Sequence, residues 1–188
     1  MSKVTTMSRY IIRLAHPADI PRLREMQQRS MLILGGDFYH SNELANFLTS
    51  FGTMDDAVVE EGHYFVAEDR RGAFLGSGGW TRSRPGYANA IAAIETSADT
   101  PTVRSVFVDP AATRRGVASA IMLRTERDAL EHGVGTLQLT ATLSGLALYE
   151  ALGYRAEEAT ELKFPDESRF RCIKMRKSLA KAQTRTAA

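Results

Sequence analysis

The chain has 188 residues, 44% of them hydrophobic and 24% charged, which fits one globular domain large enough to bury a core. A formal net charge of +2 is too small to point to nucleic acid, and no apolar run reaches the roughly 20 residues of a membrane span. One cysteine, Cys172, excludes an internal disulfide, and the N-terminus lacks the apolar core of a signal peptide, so a cytoplasmic protein is expected.

Met1 to Ser8 is polar and reads as a loose terminus. Tyr10 to Leu14 reads as a first strand. Asp19 is placed to cap a helix in which Ile20, Leu23, Met26, Gln27, Ser30 and Met31 share a face. The apolar run Met31 to Leu34 ends at Gly35-Gly36, and its methionines read as core filler. An aromatic-rich loop with Asp37, Phe38, Tyr39 and His40 follows. Ser41 then reads as the cap of a second helix carrying Leu44, Phe47 and Leu48.

A short helix is expected within Met54 to Glu61. The stretch His63 to Glu68 alternates as a strand, Asp69 to Gly72 turns, and Ala73 to Arg82 returns as its hairpin partner. Glycines 76, 78 and 79 weaken that second strand unless another backbone or a ligand comes close. Trp80, the single tryptophan, is expected either to line a cavity or to pack in the core. Ser83 to Pro101 holds a Pro85-Gly86 turn, an apolar stretch from Ala90 to Ile94, and the carboxylates of Glu95 and Asp99.

The most informative stretch is Val106 to Ser119. Val106, Phe107 and Val108 favour an extended, buried chain, and Asp109-Pro110 stops it because proline lacks a ladder N–H. From about Arg115 the period turns helical, with Ala118, Ile121, Met122, Thr125 and Ala129 on one face and His132-Gly133 as the end. The first turn of a helix leaves about four N–H groups without an internal partner, and the macrodipole adds partial positive charge there. Gly116 lets an anion approach those amides, Ala118 and Ser119 keep the way open, and Arg114 and Arg115 add charge. On these residues alone the segment is either a diphosphate cradle or a solvated helix start.

Leu137 to Thr142 reads as another strand. After it comes a short helix with Leu148, Ala151 and Leu152 on one face, capped by Gly153 before Tyr154. Two further strands are expected over Arg155 to Phe164 and Arg169 to Met175, and Lys177 to Ala188 reads as a frayed basic end.

Taken together, Thr113-Arg114-Arg115-Gly116-Val117-Ala118 and Leu148-Tyr149-Glu150-Ala151-Leu152-Gly153-Tyr154 resemble two signatures of the GCN5-related N-acetyltransferase (GNAT) superfamily. The first matches the family's Gln/Arg-x-x-Gly-x-Gly/Ala pyrophosphate loop, with Thr113 where Gln or Arg is usual. The second matches a Leu/Phe-Tyr-Glu-x-x-Gly-Phe/Tyr run, with Ser144 where many members carry Asn. The resemblance extends over Arg9 to Arg176, leaving 1–8 and 177–188 as flexible ends, and looks closest to small bacterial-type members with a Gly-Gly-Trp, here Gly78-Gly79-Trp80. It implies a single α/β domain with a mixed, mostly antiparallel sheet of about seven strands. About four helices flank that sheet, which splays between the fourth and fifth strands.

The same resemblance implies acetyl-CoA as co-substrate and an amine, small molecule or peptide, as acceptor. The cofactor-binding set it suggests is Phe107, Val108, Thr113, Arg114, Arg115, Gly116, Val117, Ala118, Ser119, Ser144 and Tyr149. A backbone N–H at Val108 or Phe107 is expected to face the oxyanion, and Tyr149 to protonate or hydrogen-bond the departing thiolate. Asp37, Tyr39, His40 and Trp80 are acceptor-site candidates. Glu95, Asp37, His40 and His63 are candidates for the base, and the sequence does not separate them. No metal is expected, and assembly as a homodimer stays open. A non-catalytic acyl-CoA-binding module is the alternative. A nucleotide site is disfavoured because neither Gly-x-x-x-x-Gly-Lys-Ser/Thr nor Gly-x-Gly-x-x-Gly occurs.

Overall fold

In a computed structural model, which describes residues 10–83 and 100–179, seven strands form one sheet. They are β1 (Tyr10–Leu14), β2 (Tyr64–Asp69), β3 (Phe74–Thr81), β4 (Thr102–Val108), β5 (Thr136–Thr142), β6 (Arg155–Lys163) and β7 (Arg169–Ser178). Their spatial order is β1-β2-β3-β4-β5-β7-β6, antiparallel throughout except for the parallel β4–β5 pair. Among the described residues five α-helices flank it, one more than expected: α1 (Ile20–Gly35), α2 (Ser41–Phe51), the single-turn α3 (Ala57–Glu60), α4 (Val117–Glu131) and α5 (Leu146–Ala151). No helix among the described residues is long and apolar enough to cross a membrane.

β4 and β5 touch at one end only. Thr102 pairs with Gln138, and the Gln138 side chain donates to Thr100 O at 3.1 Å and to Thr102 Oγ1 at 3.2 Å. Beyond this staple the strands diverge, so the sheet is continuous at one end and open at the other. This is the expected splay.

Both faces of the first half are covered, which is why β3 is buried along its whole length. Leu23 and Met26 of α1 pack with Tyr64, Val66 and Phe74 on one face. Val117 and Ile121 of α4 pack with Ala67 and Leu75 on the other. The glycines of β3 exist because of these approaches. A Cβ on Gly78 would stand 2.9 Å from Val106 Cγ2 and 3.0 Å from Ile121 Cγ2, and one on Gly79 would stand 2.2 Å from His63 O. Close protein, not a ligand, explains them.

α1 follows its predicted face, burying Leu23, Met26, Gln27, Ser30 and Met31. Asp19 does not cap it through its side chain. The carboxylate instead accepts from the His16 N–H at 2.8 Å and pairs with Arg13 at 2.7 Å, a bond that holds the Asp19 pKa below its ordinary value. In the Met31–Leu34 run only Met31 is buried, while Leu32 and Ile33 face outward. α2 begins at Ser41, but His40 is its N-cap residue, with the His40 N–H donating to Glu43 Oε2 at 2.7 Å.

In α5 the expected inward face is displaced. Tyr149 is buried, Ala151 is exposed, and Leu148 and Leu152 are half-buried. The large ring wins the core position by meeting Tyr154 edge-on, with centroids 5.9 Å apart. The C-terminal end also continues beyond the expected boundary: β7 runs through Ser178, and Leu179 N–H donates to Gly135 O at 2.8 Å.

Gly78→Ala is therefore expected to destabilise the fold by about 1–3 kcal/mol through overpacking between β4 and α4. Urea titration measures it, and a midpoint equal to wild type would contradict the packing described.

Candidate active site

Where β4 and β5 part, a cleft of about 1010 Å³ opens. One wall is the outer end of β4 with the turn into α4. The other is formed by the end of α1, the loop after it, and Phe51 of α2.

The turn is built locally. Asp109 N–H donates to Leu75 O at 2.9 Å, and Asp109 Oδ1 accepts from Ala111 N–H at 2.9 Å. Its other carboxylate oxygen holds Arg29 of α1 at 2.7 Å. Thr113, which replaces the usual long polar residue, spends its hydroxyl on Pro110 O at 3.1 Å. Arg114 (φ 59°) and Gly116 (φ 75°) are both left-handed, which reverses the chain tightly into α4. The first intrahelical bond runs from Ala120 N–H to Gly116 O at 3.0 Å. The amides of Val117, Ala118 and Ser119 thus precede the ladder, and all three residues line the cleft. A Cβ on Gly116 would meet nothing within 4 Å on the protein side.

Phe107, Val108, Thr113, Arg114, Gly116, Val117, Ala118, Ser119, Ser144 and Tyr149 all border this space, so the cofactor-binding set converges with one exception. Arg115 lies instead in a separate shallow depression with Arg22, Glu25 and Asp69. Consecutive side chains diverge around the turn, so of these two arginines Arg114 alone borders the cleft. Tyr149 is 8% exposed, and a Cβ on Gly145 would come within 3.0 Å of its ring.

Of the acceptor candidates, only Asp37 borders the cleft. Tyr39 is buried and stacked on Phe170 with centroids 3.9 Å apart. Its hydroxyl donates to Arg171 O and accepts from Leu143 N–H, both at 2.7 Å, so it is an anchor between halves of the molecule. His40 is exposed at the start of α2 and outside the cleft. Trp80 is fully buried beneath the C-terminal end of α4, where its Nε1 donates to Asp128 Oδ2 at 2.8 Å.

His63 lies there too, bonded through Nδ1 to the same oxygen at 2.8 Å, and does not border the cleft. His132 completes this cluster, whose potential ligand atoms fall within 4.8 Å of one another. Asp128 Oδ2 is already occupied by two donors, His132 Nδ1 bonds Asp128 O at 2.8 Å, and Arg124 stands 3.6 Å from Asp128 Oδ1. These bonds clamp the end of α4 to Trp80 of β3 and to His63. Glu95 lies outside the described residues.

Three cleft features were not singled out from the sequence. Arg104 is buried and pairs with Asp55 at 2.8 Å, and both border the cleft. Cys172 also borders it, with burial pushing its thiol up to about 12. The third is a bulge. Ser77 pairs with Phe107 and Gly79 with Arg104, so Ser105 and Val106 together oppose Gly78, and Ser105 is left-handed at φ 48°. The polar pair Arg104-Ser105 inside an otherwise apolar strand was the available signal.

Residues 60–156 match the family model described as "Acetyltransferase (GNAT) domain". No curated protein matches the chain. Among solved structures, the fold is similar to a "GCN5-related N-acetyltransferase: aminotransferase, class-II" from Rhodopseudomonas palustris, with TM-score 0.69, 19% identity, and coverage of 94% of this chain and 100% of that one. It is similar to a GNAT superfamily phosphinothricin acetyltransferase from Sinorhizobium meliloti in complex with acetyl-CoA, with TM-score 0.63, 19% identity and coverage of 92% and 89%. It is also similar to the PaiA N-acetyltransferase from Thermoplasma acidophilum in complex with coenzyme A, with TM-score 0.63, 12% identity and coverage of 90% and 98%.

Gly116 and Gly133, at opposite ends of α4, share a left-handed conformation with open space around the Cβ position. Gly116→Ala and Gly133→Ala should each cost about 1–2 kcal/mol of stability. Only Gly116→Ala should also weaken coenzyme A binding, by roughly tenfold (about 1.4 kcal/mol). Calorimetric titration of both variants decides whether the helix start holds phosphate.

Proposed function

The chain belongs to the GNAT acetyltransferase family, and we propose that it is an acetyl-CoA-dependent N-acetyltransferase that passes the acetyl group directly to an amine. The observation that carries this reading is the meeting, in one cleft, of unpaired amides at the start of α4 and the Tyr149 ring at the parting of β4 and β5.

Acetyl-CoA supplies an activated acyl carbon. In the transfer, an N–C bond forms, the C–S bond breaks, the amine loses a proton, and the thiolate gains one. The α4 amides and Arg114 suit the pyrophosphate, and the free edge of β4 suits the amides of the pantetheine arm. A β4 N–H near Phe107 or Val108 takes the oxyanion role, worth about 2.7–4 kcal/mol where such donors have been removed. Holding nitrogen and carbon about 3 Å apart supplies several kcal/mol more.

Tyr149 serves the departing sulfur. A phenol near pKa 10 is a weaker acid than a thiol near 8.5, so complete transfer would cost roughly 2 kcal/mol. Its role is therefore mainly a hydrogen bond to the thiolate. Among the base candidates, Asp37 is the described residue that borders the cleft, through water or directly. Cys172 does not serve as an acyl-accepting nucleophile. Burial in a β7 position facing Phe170 O holds its thiol up at about 12, leaving almost no thiolate at neutral pH.

The acceptor wall combines Ile33, Leu34, Phe38 and Phe51 with the Asp37 carboxylate. It suits an amine carried on an apolar body, held by its cationic form before deprotonation.

Steady-state assays with an arylalkylamine, a polyamine, an amino acid and a peptide test the reading. The arylalkylamine should give the highest kcat/KM, and intact-mass analysis after a single turnover should find no acetylated protein. Tyr149→Phe should lower kcat roughly 10²-fold while leaving coenzyme A affinity nearly unchanged. Tight coenzyme A binding with no acetylation of any amine would leave only the binding-module alternative.

A further inference from the structure

We propose that a closed ring of hydrogen bonds through Gln27, Thr53, Tyr64 and Ser105 aims the β4 backbone into the cleft, making Tyr64 a positioning residue for acyl transfer. The inference rests on the reading above and adds residues on α1, β2 and the loop after α2 to the machinery.

The ring closes on itself. Tyr64 Oη donates to Ser105 O at 2.6 Å, and Ser105 Oγ donates to Thr53 O at 2.8 Å. Thr53 Oγ1 donates to Gln27 Oε1 at 2.7 Å, and Gln27 Nε2 donates back to Tyr64 Oη at 2.9 Å. Ser77 fills the centre, accepting from Gln27 Nε2 at 3.2 Å and lying 3.0 Å from Tyr64 Oη. Gln27, Tyr64 and Ser77 are 0% exposed. Burial also raises the phenol pKa above its ordinary value, so Tyr64 keeps its proton and remains a donor.

This ring grips one backbone feature, the bulge. A left-handed serine is held in place only when its surroundings over-determine it. Here the carbonyl and the hydroxyl of Ser105 are both held, by a side chain and a main chain that belong to other elements. Ser105, Val106 and Phe107 border the cleft consecutively. Releasing the bulge would restore regular pairing with β3 and turn every following residue of β4 to its other face. The amides facing the acyl oxygen would turn with them. An apolar ring would fill the same volume, but it would leave the strand free to relax.

Tyr64→Phe removes one oxygen and tests the idea at a temperature well below the midpoint of unfolding. We expect kcat to fall roughly tenfold to a hundredfold, with KM for acetyl-CoA and coenzyme A affinity within about threefold of wild type. Val66→Ala, buried on the same strand face but outside the ring, should lower the midpoint similarly and spare kcat. Ser105→Gly introduced into Tyr64→Phe should recover part of kcat, because glycine holds a left-handed φ without help. The proposal is overturned if Tyr64→Phe keeps wild-type kcat, or if Val66→Ala loses as much. Amide exchange at Val106 and Phe107 gives a readout independent of turnover. It should accelerate at least tenfold in Tyr64→Phe, and unchanged exchange overturns the ring even where wild-type protein acetylates nothing. Absence of wild-type turnover with accelerated exchange would count against the acetyltransferase reading alone.

Discussion

A sheet that is stapled at one end and open at the other sets the terms for the whole molecule. Backbone N–H and C=O groups demand partners, and a strand deprived of its neighbour presents them in a row. β4 and β5 share a single register position, Thr102 with Gln138, so the outer part of β4 faces a cleft instead of a strand. An extended, amide-bearing ligand fits such an edge in the way an additional strand would. The cleft is thus a gap in a ladder, and the elements on either side of it line that gap.

α4 meets that gap because it packs closely on the sheet. Val117 and Ile121 rest where β3 has glycine, with distances that leave no room for a methyl group. The helix start is thereby brought level with the end of β4, and Asp109 fixes the turn from both sides, through Leu75 O and Arg29. Three glycines in one strand weaken it locally. Full burial of β3 between two layers offsets that weakness.

Much of this is legible in the sequence, because the relevant chemistry is local. Helical spacing located α1 and α4, alternation located the β2–β3 hairpin, and Gly116 with its small neighbours marked an open helix start. Several of the residues placed elsewhere have partners distant in sequence. Trp80 was open between cavity and core, and Asp128, 48 residues on, decides it. Tyr39 looked like an acceptor contact, yet it bonds to Leu143, 104 positions away. Arg115 sits beside Arg114 in the chain and on the other side of the turn in space. The ring beneath the bulge was invisible for the same reason, since Gln27, Tyr64 and Ser77 look like ordinary polar breaks in apolar patterns.

Tyr39 has one more consequence. Its hydroxyl ties the loop after α1 to Leu143 and Arg171, at the root of the segment that carries Tyr149. The two residues just before it, Asp37 and Phe38, border the cleft. The cleft wall at Asp37 and Phe38 and the segment that carries Tyr149 are thus joined by a residue that does not itself border the cleft. Such a layout lets the side chains at 37 and 38 change the character of one wall while the bonds that seat the other stay as they are.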